Sequence, residues 1–215
     1  MKSISKVRIF IGAGFVFAFA VWTVLVRFVG VKEIGPLGTS VGFAELNGAF
    51  HSLTGVHMAL YTVTDWLGIV PIVIALGYAV LGLWQWIKRK SILKVSPSVL
   101  ALGAFYIAVI AVFVIFEAVE LNYRPILIEG RLEASYPSST TLLCACVVPA
   151  AIIDAKARIR NAAALRCTRF ALAAFTAFMV IARSISGVHW LTDIIGGLLF
   201  SIGLVLIYSS FEWVE

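Results

Sequence analysis

Charged residues are scarce in this chain. Only 13% of its 215 residues are Asp, Glu, Lys or Arg, and it has just three histidines, three cysteines and six prolines. Soluble domains carry charge on about a quarter of their residues, so this composition excludes an ordinary soluble globular protein. The Cys144-x-Cys146 pair has no partnering ligands for a metal site. We expect both cysteines, and Cys167, to be reduced packing residues.

Apolar residues are correspondingly abundant. They make up 61% of the chain, and the mean hydropathy is +1.03. Because about 20 apolar residues in a helix cross a bilayer core, the sequence predicts an all-α, polytopic membrane protein. It forms a single six-span domain over residues 1–215, with spans at 8–28, 68–87, 98–119, 138–154, 169–187 and 191–211. The first span is too long for a signal peptide and lacks a cleavage site, so we expect it to remain.

Basic residues are concentrated in three of the segments that flank these spans. They hold 12 of the 17 Lys and Arg residues: Lys2, Lys6, Arg8, Lys88, Arg89, Lys90, Lys94, Lys156, Arg158, Arg160, Arg166 and Arg169. By the positive-inside rule this side is the cytoplasm, so both termini are expected there in a multi-pass protein of the cell membrane. The net charge of +6 therefore reflects topology, and it favours anionic membrane lipids over nucleic acid as partners.

The outward segment between spans one and two is amphipathic. Val41 to Leu67 carries aromatic and apolar side chains among polar ones. Aromatic rings settle at headgroup depth, so we predict an interfacial amphipathic helix past which a lipid enters laterally. A tethered surface helix is the alternative.

Three ionisable residues stand between the last two spans at the spacing Arg-x5-His-x3-Asp: Arg183, His189 and Asp193. If His189 opens a helix, Asp193 lies one turn further on the same face and fixes the tautomer of the imidazole. Arg183 is then free to hold an anion. Ionisable groups that only cap helices or snorkel to the interface are the structural alternative.

A second polar group faces the same side of the predicted membrane. Arg124-Pro125 follows span three, and span four opens with Pro137-Ser138-Ser139-Thr140. Pro137 suits the first turn of a helix, where the hydroxyls and backbone N–H groups of Ser138 and Ser139 would meet a phosphate. A simple capped helix start is the alternative.

These residues resemble the type 2 phosphatidic acid phosphatase superfamily. Its signatures are Lys-x6-Arg-Pro, Pro-Ser-Gly-His and Ser-Arg-x5-His-x3-Asp, in this order on one face of a six-helix core. The third matches at Arg183, His189 and Asp193, with Ala182 in place of Ser. The first matches at Arg124-Pro125, with Glu117 in place of Lys, and in the second Thr140 replaces His.

The resemblance implies displacement at phosphorus without a metal or other cofactor. His189 attacks the phosphoryl group, Asp193 orients it, and water hydrolyses the resulting phosphohistidine. Arg124, Arg183, Ser138 and Ser139 bind the phosphate. A neutral imidazole backed by a carboxylate is a competent nucleophile, and two arginines neutralise phosphoryl oxygens.

The departures from the signatures leave three outcomes open. The histidine missing at Thr140 protonates the leaving group in the family, and a threonine hydroxyl is too weak an acid for this task. In the first, the leaving group is itself a phosphate, as in a polyprenyl diphosphate. Otherwise His51 or His57, which lie on the same side, supplies the acid, or the chain only binds lipid phosphate. Glu117 adds negative charge unless it pairs with Arg124 or Arg131.

The sequence thus favours an integral membrane lipid phosphatase or diphosphatase with a lipid phosphate substrate and an outward-facing site. A catalytically weakened lipid-phosphate binding protein of the same fold is the alternative. A transporter fits less well because the ionisable residues gather at one interface and no pair of spans is interrupted. The sequence carries no signal for an oligomeric state.

The predicted topology can be tested by labelling. A cysteine introduced at Glu129 should react with a membrane-impermeant thiol reagent applied to intact cells, and a cysteine at Arg160 should not, because the positive-inside rule places them on opposite sides. Labelling at position 160 alone would invert the topology and move the site to the cytoplasm.

Overall fold

A computed structural model describes residues 5–211 and consists mainly of helices. The α-helices are α1 Lys6–Phe28, α2 Ala44–Thr54, α3 Met58–Leu67, α4 Ile69–Arg89, α5 Pro97–Val119, α6 Ser139–Arg158, α7 Ala162–Ile185 and α8 Leu191–Ser209. Among the described residues, six helical segments are long and apolar enough to cross a membrane, with α3 and α4 forming one of them. The predicted six-span helical membrane fold is confirmed. Lys2, counted in the topology argument, lies outside the described residues.

The helix boundaries follow local chemistry. Pro97 occupies the first turn of α5, where its missing N–H costs no hydrogen bond. The Asn161 side chain accepts a hydrogen bond of 2.9 Å from the Ala164 N–H and so caps α7. Lys90, with a φ of 53°, ends α4 in the left-handed conformation.

Span two begins ten residues before its predicted start. The segment Val41 to Leu67 does not form one interfacial helix, because Gly55 ends α2 with a φ of 68° and α3 continues into the membrane span. Gly68 does not interrupt this span, since its φ of −57° is helical and its N–H bonds the Thr64 carbonyl at 3.0 Å. Between spans one and two, α2 is the one separate α-helix, and a 3-10 turn at Pro36–Gly38 precedes it.

Smaller differences concern spans four and five and a short hairpin. Span four extends to Arg158, and span five begins at Ala162, so Arg166 and Arg169 lie in the first turns of α7 and not in the connecting loop. The strands β1 (Lys32–Glu33) and β2 (Ser40–Val41) pair in an antiparallel hairpin. The prediction of a wholly helical chain missed them because two-residue strands leave no periodic pattern.

Helix α8 packs against α1 and α6, and both described ends of the chain lie at the same end of the bundle. The Ser5 N–H donates to the Ser210 carbonyl at 2.9 Å, and Arg8 Nη1 donates to the Ser209 carbonyl at 2.7 Å. Aromatic rings also pack in the core, where Phe19 contacts Phe200, Tyr136 and Phe116. Cys144 and Cys146 are buried as expected, but Cys167 is exposed and is not a packing residue.

Glycines bring α1 and α8 into close contact. A Cβ atom at Gly12 would lie 2.7 Å from the Gly203 carbonyl oxygen and 2.8 Å from Ile207 Cγ1. Small residues allow this approach between membrane helices, where packing is a main source of association.

We expect Gly12→Ala to lower the thermal unfolding midpoint in detergent, because the added methyl group forces the helices apart at a cost of about 1–3 kcal/mol. Gly14→Ala is the matched control, since no atom lies within 4 Å of its Cβ position, and alanine should leave the midpoint unchanged or raise it. Equal midpoints for the two variants would contradict close packing at Gly12.

Candidate active site

The loop between α7 and α8, residues 186–190, carries His189 and is fixed by the corner between α2 and α3. The His57 N–H donates to the Ser186 carbonyl at 2.9 Å, and His51 Nε2 lies 3.2 Å from the Gly187 carbonyl oxygen. Gly187 has a φ of 72°, and a Cβ atom there would lie 2.1 Å from the Gly55 carbonyl oxygen. Only glycine fits this contact, so the loop is held tightly against the corner.

Asp193 connects this loop to α8. Its side chain is fully buried, and Oδ2 accepts a hydrogen bond of 2.9 Å from the Trp190 N–H at the start of the helix. The same oxygen lies 3.6 Å from His189 Nδ1. The sequence pattern placed His189 at the start of a helix, but α8 begins two residues later, at Leu191. The Asp193 carboxylate still reaches the His189 imidazole.

Side chains distant in sequence fix the start of α8. Asn47 Nδ2 donates to Thr192 Oγ1 at 3.0 Å, and the Thr192 N–H donates to Asn47 Oδ1 at 3.2 Å. Trp22 Nε1 donates to the Thr192 carbonyl at 3.1 Å, and Trp190 Nε1 donates to the Tyr123 carbonyl at 2.8 Å. Sequence analysis missed the roles of Asn47 and Trp22. Their neighbours in sequence give no sign that they bind the start of α8, which lies about 145 residues or more away.

His189 lines a polar cavity of about 200 Å³ where α5 ends and α6 begins. The other lining side chains include one cation, three carboxylates and hydroxyl groups among apolar residues. They are Phe113, Phe116, Glu117, Glu120, Arg124, Leu132, Glu133, Ala134, Ser135, Tyr136, Pro137, Ser139 and Leu142. The cavity is large enough for a phosphoryl group and supplies donors to it.

The structure brings both predicted arginines near His189 but gives them different surroundings. Arg124 lines the cavity, and its Nε lies 3.0 Å from Glu133 Oε2, while its Nη1 is buried without a hydrogen-bond partner among the described residues. Arg183 is 1% exposed and does not line the cavity. Its Nη1 donates to Thr64 Oγ1 at 3.1 Å, and its Nη2 lies 3.7 Å from Asp65 Oδ1.

Burial lowers the pKa of His189 well below its ordinary value, and the positive charges of Arg124 and Arg183 lower it further. Neither ring nitrogen has a hydrogen-bond partner among the described residues. The imidazole is therefore neutral near pH 7, and its Nδ1 lies 3.6 Å from Asp193 Oδ2.

The start of α6 differs from the prediction. The helix begins at Ser139, so Pro137 lies before it and not in its first turn. The Ser138 N–H donates to the Asp193 carbonyl at 3.2 Å and is not available to an anion, although Ser138 Oγ is buried without a partner among the described residues. Ser139 lines the cavity, whereas Thr140 is buried and does not.

The remaining candidates lie apart from His189 or without the expected contacts. Glu117 lines the cavity but makes no ion pair with Arg124, which pairs with Glu133. Arg131 is exposed in a tight turn with Ile128 and does not line the cavity. His57 is exposed and does not line the cavity, and its Nε2 lies 2.8 Å from the Thr54 carbonyl oxygen. Within residues 5–211, no group of three His, Cys, Asp or Glu side chains could hold a metal ion.

A larger apolar cavity adjoins the polar one. It has a volume of about 880 Å³ and lies between α4 and α5, with lining residues that include Ile72, Leu76, Trp86, Leu100, Ile107 and Phe113. Phe113 lines both cavities, so the polar and apolar spaces meet this residue from two sides.

No protein-family model matches this chain, and no curated protein matches it. A solved structure is similar in fold: the crystal structure of a transmembrane PAP2-type phosphatidylglycerolphosphate phosphatase from Bacillus subtilis. The two align over 93% of each chain with a TM-score of 0.52 and 21% sequence identity. The relation predicted from the signatures is thus supported at the level of the fold.

The lowered pKa of His189 predicts a pH dependence of stability. The unfolded chain binds a proton on this histidine near pH 6.5, before the folded protein does, so its contribution to stability is present above that pH and is lost as the pH falls further. We therefore expect the thermal unfolding temperature to decrease as the pH is lowered below 6.5. The decrease should be steeper in the natural protein than in His189→Gln. Parallel pH profiles would contradict a neutral, buried His189.

Proposed function

We propose that this chain is an integral membrane lipid phosphatase or diphosphatase that acts through a phosphohistidine intermediate at the outer face. The observation that carries the proposal is a buried, neutral His189 that contacts Asp193 on one side and lines a polar cavity with Arg124 on the other. The phosphatidylglycerolphosphate phosphatase that shares its fold supports a lipid phosphate substrate.

In the proposed reaction the Nε2 lone pair of His189 attacks phosphorus, and the bond from phosphorus to the leaving oxygen breaks. The proton on Nδ1 faces Asp193, whose carboxylate stabilises the positive charge that the ring acquires. Arg124 neutralises the phosphoryl oxygens through its free Nη1. Water then attacks phosphorus, the P–N bond breaks, and phosphate leaves as the imidazole recovers its electron pair.

The apolar cavity supports a lipid as the substrate. A headgroup phosphate in the polar cavity would place the hydrocarbon chain beside Phe113, where the larger cavity begins. Apolar lining residues favour a chain that would otherwise remain in the bilayer, and the chain needs no polar contacts there.

The alternative is a lipid-phosphate binding protein of the same fold that has lost turnover. Glu117 favours it, because a carboxylate without an ion pair to Arg124 or Arg131 faces the cavity in which phosphate would bind. Thr140 favours it too, because among the described residues no histidine other than His189 lines the cavity.

We expect His189→Ala to abolish phosphate release from a panel of monophosphate and diphosphate lipids assayed without added metal, because the attacking atom is lost. His57→Ala is the matched control, since this ring is exposed and lies outside the cavity. Retention of activity by His189→Ala would remove the proposed mechanism. Binding of lipid phosphate by an inactive natural protein would establish the alternative.

Substrate preference follows from the missing acid. General acid catalysis contributes about 10²- to 10⁴-fold, so monoesters with an alkoxide leaving group should react more slowly than diphosphates, which need little protonation. We expect higher kcat/KM for a diphosphate lipid than for a monophosphate with the same chain. Equal rates would mean that a cavity carboxyl group donates the proton, and Glu117→Gln would then slow the monoester selectively.

A further inference from the structure

A tyrosine outside the signature segments contacts both arginines of the site. The ring of Tyr61, on α3, has its centroid 4.8 Å from Arg183 Cζ and 5.8 Å from Arg124 Cζ. Arg124 follows α5 and Arg183 lies at the end of α7, so one ring joins three separate parts of the chain. Both distances fall within the range of cation–π attraction, which is about 6 Å.

The ring offsets a repulsion that the site cannot avoid. The two guanidinium groups are close enough to repel each other, and both lie near His189. Glu133 and Asp65 each attract one of these groups, but a carboxylate occupies N–H donors that a phosphate needs. The face of an aromatic ring attracts a guanidinium group and leaves its N–H edge free.

The N–H groups of the two arginines agree with this arrangement. Both residues are buried, with exposed fractions of 9% for Arg124 and 1% for Arg183. Even so, Arg124 Nη1 and Arg183 Nε have no hydrogen-bond partner among the described residues. Unpaired buried donors on charged groups are costly, so a bound anion would stabilise this arrangement. A phosphoryl group in the polar cavity would offer acceptors to Arg124, which lines it, and its negative charge would attract Arg183, which does not.

Two further side chains of α3 contact Arg183. Thr64 and Asp65, three and four residues after Tyr61, contact Nη1 and Nη2 of Arg183. The α3 helix therefore fixes the position of this guanidinium group, while the ring of Tyr61 relates it to Arg124.

We propose that Tyr61 is a positioning residue that holds Arg124 and Arg183 together for a phosphate anion. The inference rests on the proposed function. Tyr61 does not react with the substrate, and its hydroxyl group makes no hydrogen bond within the described residues, so the ring alone performs the role.

The test compares Tyr61→Leu, which removes the ring, with Tyr61→Phe, which keeps it. Affinity for inorganic phosphate would be measured by calorimetry on the purified full chain, together with kcat and KM for a diphosphate lipid. We expect Tyr61→Leu to weaken phosphate binding about tenfold and to raise KM, because two cation–π contacts are lost, and Tyr61→Phe to match the natural protein. Trp66→Leu is the control, since it removes an exposed aromatic residue from the same helix.

Two results would overturn the inference: unchanged phosphate affinity in Tyr61→Leu, or equal losses in Tyr61→Leu and Tyr61→Phe, which would assign the effect to the hydroxyl group. Tyr61→Met replaces Tyr61→Leu if the latter does not fold. A natural protein that neither binds phosphate nor hydrolyses lipids would refute the proposed function and this inference with it. Hydrolysis that is insensitive to the loss of the ring would refute only the role of Tyr61.

Discussion

The buried carboxylate of Asp193 links the fold of this protein to its proposed chemistry. One oxygen accepts the Trp190 N–H at the start of α8 and lies 3.6 Å from the His189 imidazole. A buried carboxylate is costly, and the positive end of the helix dipole and a nearby guanidinium group offset part of that cost. The helix cannot shift without moving the carboxylate, and the carboxylate cannot move without releasing the imidazole. Asn47, through Thr192, fixes the same turn from α2.

Carboxylates partly balance the positive charges around His189. Glu133 pairs with Arg124, Asp65 lies beside Arg183, and the imidazole stays neutral. Each arginine nevertheless retains a buried donor without a partner among the described residues. Glu117 and Glu120 also line the cavity, so these donors, and not a net positive charge, are what the site offers to a phosphate. The proposed phosphate ligand therefore depends on these unpaired guanidinium donors, whether the protein turns it over or only binds it.

Local patterns predicted the parts of this structure that depend on local physics. Hydrophobic run length gave six spans, and the four-residue spacing of His189 and Asp193 gave their contact. The start of span two was missed because Thr62, Thr64 and Asp65 lower the hydropathy of α3, yet Thr64 and Asp65 face Arg183. Asn47 and Tyr61 act across the tertiary fold, which leaves no periodic signal in sequence. Its spacing from Pro137 placed Thr140 in the candidate site. Its burial could not be predicted from the sequence, because it depends on how α6 packs.

The central claim is that His189 accepts the phosphoryl group. The most direct measurement is rapid acid-free quenching of the natural protein during turnover of a diphosphate lipid, followed by mass spectrometry of its peptides. The account predicts a phosphoryl group on His189 that is stable in base and labile in acid, that forms and decays at rates consistent with kcat, and that is absent from Thr140, Ser138 and Ser139. Sustained turnover without phosphorylated His189, or with the phosphoryl group on another residue, would contradict it.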